Sequence, residues 1–165
     1  MDQDAFRRFY EKTAPTLRAY VIRSCGSVDV DDDLVQEAFL RFLRSTSAAS
    51  LGEPQMRGYL YRTLETLIVD RWRRLHREKE LALDTTSEPA APGTTETDPD
   101  VTLAFSQLDH KQRALLWLAY VEGFNHKEIA ATAGVKEKSV KVLLFRARQK
   151  LAAILKRASP RLEVL

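Results

Sequence analysis

The side chains best suited to binding chemistry are the cations between residues 124 and 155. Asn125, followed three residues later by Glu128, predicts a capping box that starts a short helix, and Gly134 predicts a sharp turn after it. The apolar residues beyond the turn recur at three- and four-residue spacings, which predicts a second helix with one buried stripe. The other face of that helix is basic. The segment therefore has the layout of a helix-turn-helix, whose second helix enters the major groove of duplex DNA.

Seven side chains of this segment are candidates to contact base edges or phosphates of duplex DNA. They are His126, Lys136, Lys138, Ser139, Lys141, Val142 and Arg146. A helical hairpin with a solvated basic face is the competing interpretation. The four apolar residues 142–145 exceed what one buried face requires. Part of this run is therefore available to a regulator or to a facing domain.

A second candidate surface is acidic and lies in the run DDDLVQEAFLRFL, residues 31–43. Carboxylates in a first helical turn stabilise the N-terminal end of the helix. The helical period assigns five apolar residues to the core, namely Leu34, Val35, Ala38, Phe39 and Phe42. The patch that remains on the other side comprises Asp33, Gln36, Glu37 and Leu40. This patch is acidic and polar with one apolar residue, so it suits a basic partner protein.

A third candidate surface lies in MRGYLYRTLETLIVDRWRRLHREKE, residues 56–80, which predicts a long amphipathic helix. Its expected packing face comprises Leu60, Leu64, Leu67, Ile68 and Leu75. Its expected outer face carries Arg57, Arg62, Arg71, Arg73, Arg74 and Arg77, interleaved with Tyr59, Tyr61 and Trp72. Cations bind a nucleic-acid backbone and aromatic rings stack on unpaired bases, a combination suited to melted DNA. Aromatic side chains at helical spacing also pack in cores, which is the competing interpretation of Tyr59 and Trp72.

These surfaces require a helical scaffold, and the sequence predicts one. Helices are expected over residues 4–24, 31–45 and 55–81, with a weaker start near Pro54 and a kink or boundary at Pro15. Period-two alternation is missing, so the fold class is all-α, with a bundle of three or four helices followed by a smaller helix-turn-helix domain of about four.

A flexible acidic linker is expected to separate the two domains. Residues 84–100 contain three of the six prolines and no basic residue, so they are not expected to form a core. The expected division is therefore 1–83, 84–100 and 101–165. Net charge is +1 over residues 1–80, −5 over 81–100 and +7 over 101–165. The basic C-terminal part fits a phosphate-binding module.

Composition and spacing argue against several other classes of protein. No apolar run is long enough to span a membrane, and the N-terminus has no apolar segment of the secretory type, which predicts a cytoplasmic protein without membrane insertion. Cys25 is the only cysteine, so it is expected to be a small buried residue. The three histidines lie far apart without metal-ligand spacing. The sequence therefore predicts neither an enzyme nor a bound metal or cofactor.

The acidic run, the arginine-rich run, the linker and a helix-turn-helix ending in RARQKL occur in that order. Nearly the whole chain resembles bacterial RNA polymerase sigma factors of the extracytoplasmic-function group. The resemblance implies binding to core RNA polymerase and promoter-specific initiation. Asp33, Gln36, Glu37 and Leu40 would bind the clamp helices of the largest polymerase subunit. The minus-ten element would be melted and read by Tyr59, Arg62, Asp70, Trp72, Arg73 and Arg74. The C-terminal domain would read the minus-thirty-five element of promoter DNA as a duplex.

The resemblance carries further expectations. Residues 46–55 would recognise an extruded base, the acidic linker would thread into polymerase channels, and an anti-sigma protein or other regulator would hold the chain inactive. Thr66, Tyr59 and Lys138 stand where the family commonly has asparagine, tryptophan and glycine, which bears on the promoter sequence more than on the role. The alternative function is a helix-turn-helix regulator that binds operator DNA without polymerase.

Overall fold

The computed structural model describes residues 1–25, 31–81 and 99–158. Within these ranges the chain forms seven α-helices and a short 3-10 turn, Ala48–Ser50, and no β-strand. The helices are α1 (Gln3–Cys25), α2 (Asp31–Arg44), α3 (Glu53–Leu81), α4 (Pro99–Ser106), α5 (His110–Tyr120), α6 (His126–Ala133) and α7 (Glu137–Ala158). The all-α prediction is confirmed. The expected linker lies outside the described residues except for 99–100, which form the first turn of α4.

Helices α1, α2 and α3 pack around a shared aromatic and aliphatic core. Phe9 of α1 lies 6.3 Å from Phe39 and 5.6 Å from Phe42 of α2, measured between ring centroids. Leu17 of α1 and Leu64 of α3 are fully buried. All five α2 residues that the helical period assigns to the core are also buried. The outer face of α2 is therefore free to carry polar chemistry.

Pro15 and Pro54 both lie within helices: the helix boundary considered at Pro15 is absent, and the helix start expected near Pro54 is that of α3. Helix α1 continues through Pro15, with Ala14 and Leu17 buried beside it. Packing against the bundle supplies most of the stability of such a helix, so one missing backbone hydrogen bond does not end it. Helix α3 begins at Glu53 and includes Pro54 in its first turn, where a proline gives up no intrahelical bond.

The C-terminal helices are positioned by local capping interactions. Asn125 Oδ1 accepts the backbone N–H of Glu128 at 2.8 Å, and Glu128 Oε1 accepts that of Asn125 at 3.1 Å. The predicted capping box is therefore present at the start of α6. Gly134 ends α6 with a φ of 69°, a left-handed conformation that favours glycine. Asp109 caps α5 through Oδ1, which accepts the N–H of Gln112 at 2.8 Å.

Candidate nucleic-acid and protein interfaces

The helix-turn-helix presents a basic groove to solvent. Three exposed lysines and one exposed histidine line it together with Glu137, and these are Lys136, Lys138, Lys141 and His126. The capping box and Gly134 fix the angle between α6 and α7, and the buried Val140 and Ala147 hold α7 against the domain. The groove therefore offers ammonium groups on a rigid backbone, an arrangement suited to binding phosphates.

The other candidates on α7 lie around this groove or away from it. Ser139 is half-buried, and its backbone N–H bonds Lys136 O at 2.9 Å. Val142 and Phe145 are 50% and 52% exposed, while Leu144 between them is buried. The apolar run 142–145 is thus divided between core and solvent. Arg146 is exposed but lines a separate groove that faces α3.

The acidic patch lies on the outer face of α2. Asp33, Gln36 and Leu40 are exposed, and Glu37 is half-exposed with Oε1 3.1 Å from Arg41 Nε. Leu43, also exposed, lies one helical turn beyond Leu40 and extends the apolar part of the patch. Sequence reasoning missed Leu43, although its three-residue spacing from Leu40 indicated the same face. The surface combines carboxylates with two adjacent leucines.

Helix α3 exposes five of the six candidate minus-ten residues, one at Arg62 and four in its second half: Asp70, Trp72, Arg73 and Arg74. Trp72 is 62% exposed, and its ring stacks on His76 with centroids 4.8 Å apart and an interplanar angle of 14°. The second half of α3 therefore displays cations around an accessible aromatic surface. Such a surface can hold a phosphate backbone and stack an unpaired base.

Tyr59, unlike Trp72, packs against the helical bundle. Its ring lies 6.0 Å from that of Phe42, and its hydroxyl donates to Arg41 O at 3.3 Å. Tyr59 is half-buried, so part of this residue remains accessible at the surface of the bundle. Of the two interpretations of these aromatic residues, packing applies to Tyr59, because it contacts the bundle. Stacking on unpaired bases remains open to Trp72, because it faces solvent.

Three positions of α3 differ from the amphipathic pattern. Leu75, expected in the core, is 46% exposed, because it lies in the last third of α3, where every residue is exposed. Arg57, expected on the outer face, is only 24% exposed and forms an ion pair with Glu122 at 2.7 Å. Tyr61 is buried and hydrogen-bonds both Glu122 and Trp117. The last two corrections have one cause, since the C-terminal helices cover this part of α3.

Burial perturbs several ionisable groups near that contact. It raises the pKa of the Tyr61 hydroxyl well above its usual range, and the neighbouring Glu122 carboxylate raises it further. Burial also raises the pKa of Glu65, although the Tyr20 hydroxyl that donates to its carboxylate acts in the opposite direction. The described residues contain no cluster of side chains able to hold a metal ion. Among the described helices, none has the length and hydropathy required to cross a bilayer.

Comparison with known proteins assigns the two halves separately. The family profile for Sigma-70 region 2 matches residues 9–78, and that for Sigma-70, region 4 matches residues 100–151. The ECF RNA polymerase sigma factor EcfG of Rhodopseudomonas palustris (strain TIE-1) is 31% identical over 157 residues, covering 92% of this chain and 86% of that protein. The ECF RNA polymerase sigma factor SigF of Caulobacter vibrioides (strain NA1000 / CB15N) is 31% identical over 166 residues, covering 95% and 89%.

The fold has a counterpart among solved structures. The sigma factor RpoE of Bartonella quintana, crystallised in complex with the anti-sigma factor NepR, superposes with a TM-score of 0.71 at 24% identity. The match covers 92% of this chain and 97% of that one. The architecture is therefore that of a sigma factor with regions 2 and 4.

The order of the motifs, the helical architecture and the relatives all indicate one class of protein, the sigma factors of the Sigma-70 type. Within that class, the chain belongs to the ECF RNA polymerase sigma factors. It binds core RNA polymerase and directs promoter-specific transcription initiation, as the sequence predicts. The region 2 match also accounts for the N-terminal half, which the operator-binding alternative would assign to sensing or dimerisation.

Proposed function

We propose that this sigma factor acts through one polymerase-docking surface and two DNA-binding surfaces. The docking surface comprises Asp33, Gln36, Glu37 and Leu40 and binds the clamp helices of the largest polymerase subunit. The minus-ten surface comprises Tyr59, Arg62, Asp70, Trp72, Arg73 and Arg74. The minus-thirty-five surface comprises His126, Lys136, Lys138, Ser139, Lys141, Val142 and Arg146. Residues 1–83 and 101–165 act as the two domains, with 84–100 connecting them in the cytoplasmic holoenzyme.

One observation supports this assignment. The three surfaces differ in chemical character, and each matches the character of its expected ligand. The α2 patch pairs carboxylates with the exposed Leu40, which suits a protein partner with basic and apolar side chains. The α3 surface combines arginines with the exposed Trp72, which suits unpaired bases. The groove beside α7 is lined by three lysines, His126 and Glu137, and by no tyrosine, tryptophan or phenylalanine, which suits an intact duplex.

The mechanism is one of binding and positioning, and the chemistry of RNA synthesis remains with the polymerase. Each DNA surface contributes modest affinity by itself. When polymerase holds both domains at the spacing of the two promoter elements, binding of one element raises the effective concentration of the other domain at its own site. Promoter recognition is therefore expected to be cooperative and sensitive to salt.

The docking assignment is tested by reversing one charge. Glu37→Lys is expected to weaken binding to purified core polymerase, because a carboxylate in the interface becomes a cation facing basic side chains. Glu11→Lys, at an exposed position on α1, is the control with the same change in net charge. Affinity is measured by fluorescence anisotropy of labelled sigma factor. Equal affinity for the two variants would remove α2 from the docking surface.

The melting assignment is tested on the neighbouring pair Arg73 and Arg74. Changing both to alanine is expected to abolish open complexes, detected by permanganate reactivity of unpaired thymines, while core binding stays unchanged. The control changes Arg7 and Arg8, an adjacent exposed pair on α1, to alanine. Persistence of permanganate-reactive thymines in the Arg73/Arg74 double variant would assign melting to other residues.

We also propose that a protein of the anti-sigma type regulates this chain. Support comes from the Bartonella quintana sigma factor of the same fold, which was crystallised with NepR. The exposed Val142 and Phe145 offer this chain an apolar surface for such a partner. Affinity purification of the tagged chain from uninduced cells should recover a polymerase-free complex with a second protein. Recovery of only the free chain and holoenzyme would contradict the proposal.

A further inference from the structure

The exposed indole ring of Trp72 is covered on one face by the imidazole of His76. The two rings stack with their centroids 4.8 Å apart and an interplanar angle of 14°. His76 follows Trp72 by one helical turn, so the imidazole covers the indole face that is directed toward the C-terminal end of α3. With that face covered, an exposure of 62% requires that the opposite face of the indole be largely accessible.

This part of α3 lies beyond the helical core. Ile68 is the last buried residue that the helix contributes, and every residue from 72 to 81 is exposed. An indole at an exposed helical position has about two common χ1 wells and about two χ2 wells, which gives about four orientations. Stacking favours one of these orientations, because the two rings touch only when the indole of Trp72 lies over the imidazole of His76.

Arginine side chains surround the stacked pair. Arg73 and Arg77 line one groove together with both rings. Arg71 and Arg73 line a second groove, which Trp72 borders and His76 does not. A nucleotide stacked on the indole therefore has guanidinium groups beside it to bind its phosphates. On the covered face of the indole, the imidazole occupies the position that a base would need.

We propose that His76 is a positioning residue of the minus-ten surface, which holds the indole of Trp72 in the orientation that receives an unpaired base on its open face. This role rests on the proposed function, in which Trp72 contacts melted DNA. A ring that already has its bound orientation loses less conformational freedom when DNA binds. An indole distributed among about four orientations would be competent about one quarter of the time, which raises the apparent Kd about fourfold.

Two substitutions at His76 separate stacking from polar contact. Anisotropy of a labelled single-stranded minus-ten oligonucleotide measures binding to reconstituted holoenzyme. His76→Ala is expected to bind about fourfold more weakly than the unmodified chain. Alanine has the higher helix propensity, so this loss cannot come from fraying of α3. His76→Phe keeps a planar ring without N–H donors and is expected to retain full affinity.

Unchanged affinity of His76→Ala would overturn the proposal, and so would equal losses in the alanine and phenylalanine variants, which would indicate a polar contact between the imidazole and DNA. A double-mutant cycle then tests whether His76 acts through Trp72. Trp72→Ala is expected to bind about 5- to 150-fold more weakly, the equivalent of one base–aromatic stack. Adding His76→Ala to it should cause no further loss, because no indole remains to be positioned. A further fourfold loss would overturn the proposal. Full affinity of Trp72→Ala alone would instead overturn the assignment of Trp72 to the minus-ten surface, and with it this part of the proposed function.

Fluorescence of the free chain provides a measurement that requires neither DNA nor polymerase. The chain has two tryptophans, and Trp117 is only 4% exposed, so quenching by acrylamide reports mainly on Trp72. In His76→Ala the bimolecular quenching constant, taken from fluorescence lifetimes, is expected to rise by up to about twofold, because the second face of the indole becomes accessible. His76→Phe should keep the value of the unmodified chain. The same constant in all three proteins would overturn the proposal.

Discussion

Removing the lysines of the helix-turn-helix groove should change the salt dependence of promoter binding by a calculable amount. Lys136, Lys138 and Lys141 are exposed and line one groove. Each phosphate contact contributes about 0.9 to the slope of log affinity against log salt. Changing all three to glutamine should therefore reduce the slope by up to about 2.7. Between about 50 and 200 mM salt, the unmodified protein should lose about 40-fold more affinity than the variant.

The assay measures anisotropy of a labelled minus-thirty-five duplex bound by reconstituted holoenzyme across that salt range. The control changes Lys111, Lys150 and Lys156 to glutamine, three exposed lysines of the same half that do not line the groove. Both variants lose the same net charge, so long-range attraction is matched. Only the groove variant should show the reduced slope.

Two results would refute this reasoning. An unchanged slope in the groove variant would mean that these ammonium groups do not contact phosphates in the complex. Equal reductions in groove and control variants would mean that overall charge, rather than the geometry of the groove, sets the affinity. In either case the minus-thirty-five surface would have to be assigned to another face of the domain.

Three further predictions concern individual side chains. Asn125→Ala and Asp109→Ala should each cost about 1 kcal/mol in urea unfolding through a lost helix cap, but only the former, which starts α6, should weaken minus-thirty-five binding. Trp72→Ala should cost less than about 0.5 kcal/mol of stability yet about 1 to 3 kcal/mol in binding a single-stranded minus-ten oligonucleotide; loss of stability without loss of binding would contradict the assignment. Burial raises the folded-state pKa of Glu65, so the folded state holds this proton more tightly than the unfolded state does. Its stabilising contribution is complete below the unfolded pKa and is lost as pH rises through the folded one. Glu65→Gln should accordingly gain stability relative to the unmodified chain as pH rises from the unfolded-state pKa of this carboxyl through its raised folded-state pKa, measured by urea titrations at several pH values. A pH-independent difference would argue against it.

Interactions between residues close in sequence were predictable from the sequence. The capping box of Asn125 and Glu128 and the left-handed Gly134 involve neighbouring backbone groups, so spacing alone predicts them. The buried stripe of α2 follows from the helical period, because one face of a short helix meets one core. The order of these segments was also sufficient to predict the family, which the relatives confirm. The roles of individual site residues remain predictions.

Contacts between the two halves were decided only by the tertiary structure. Helix α3 is longer than the bundle that it packs against, so its period cannot indicate where burial ends, and Leu75 is exposed for that reason. Arg57 and Tyr61 read as surface residues of α3, yet Glu122 and Trp117, more than fifty positions away, cover them. The sequence determined which helices form and which faces are apolar, because those depend on neighbouring residues. Which polar faces meet depends on how separate segments pack in space, and no local pattern records that.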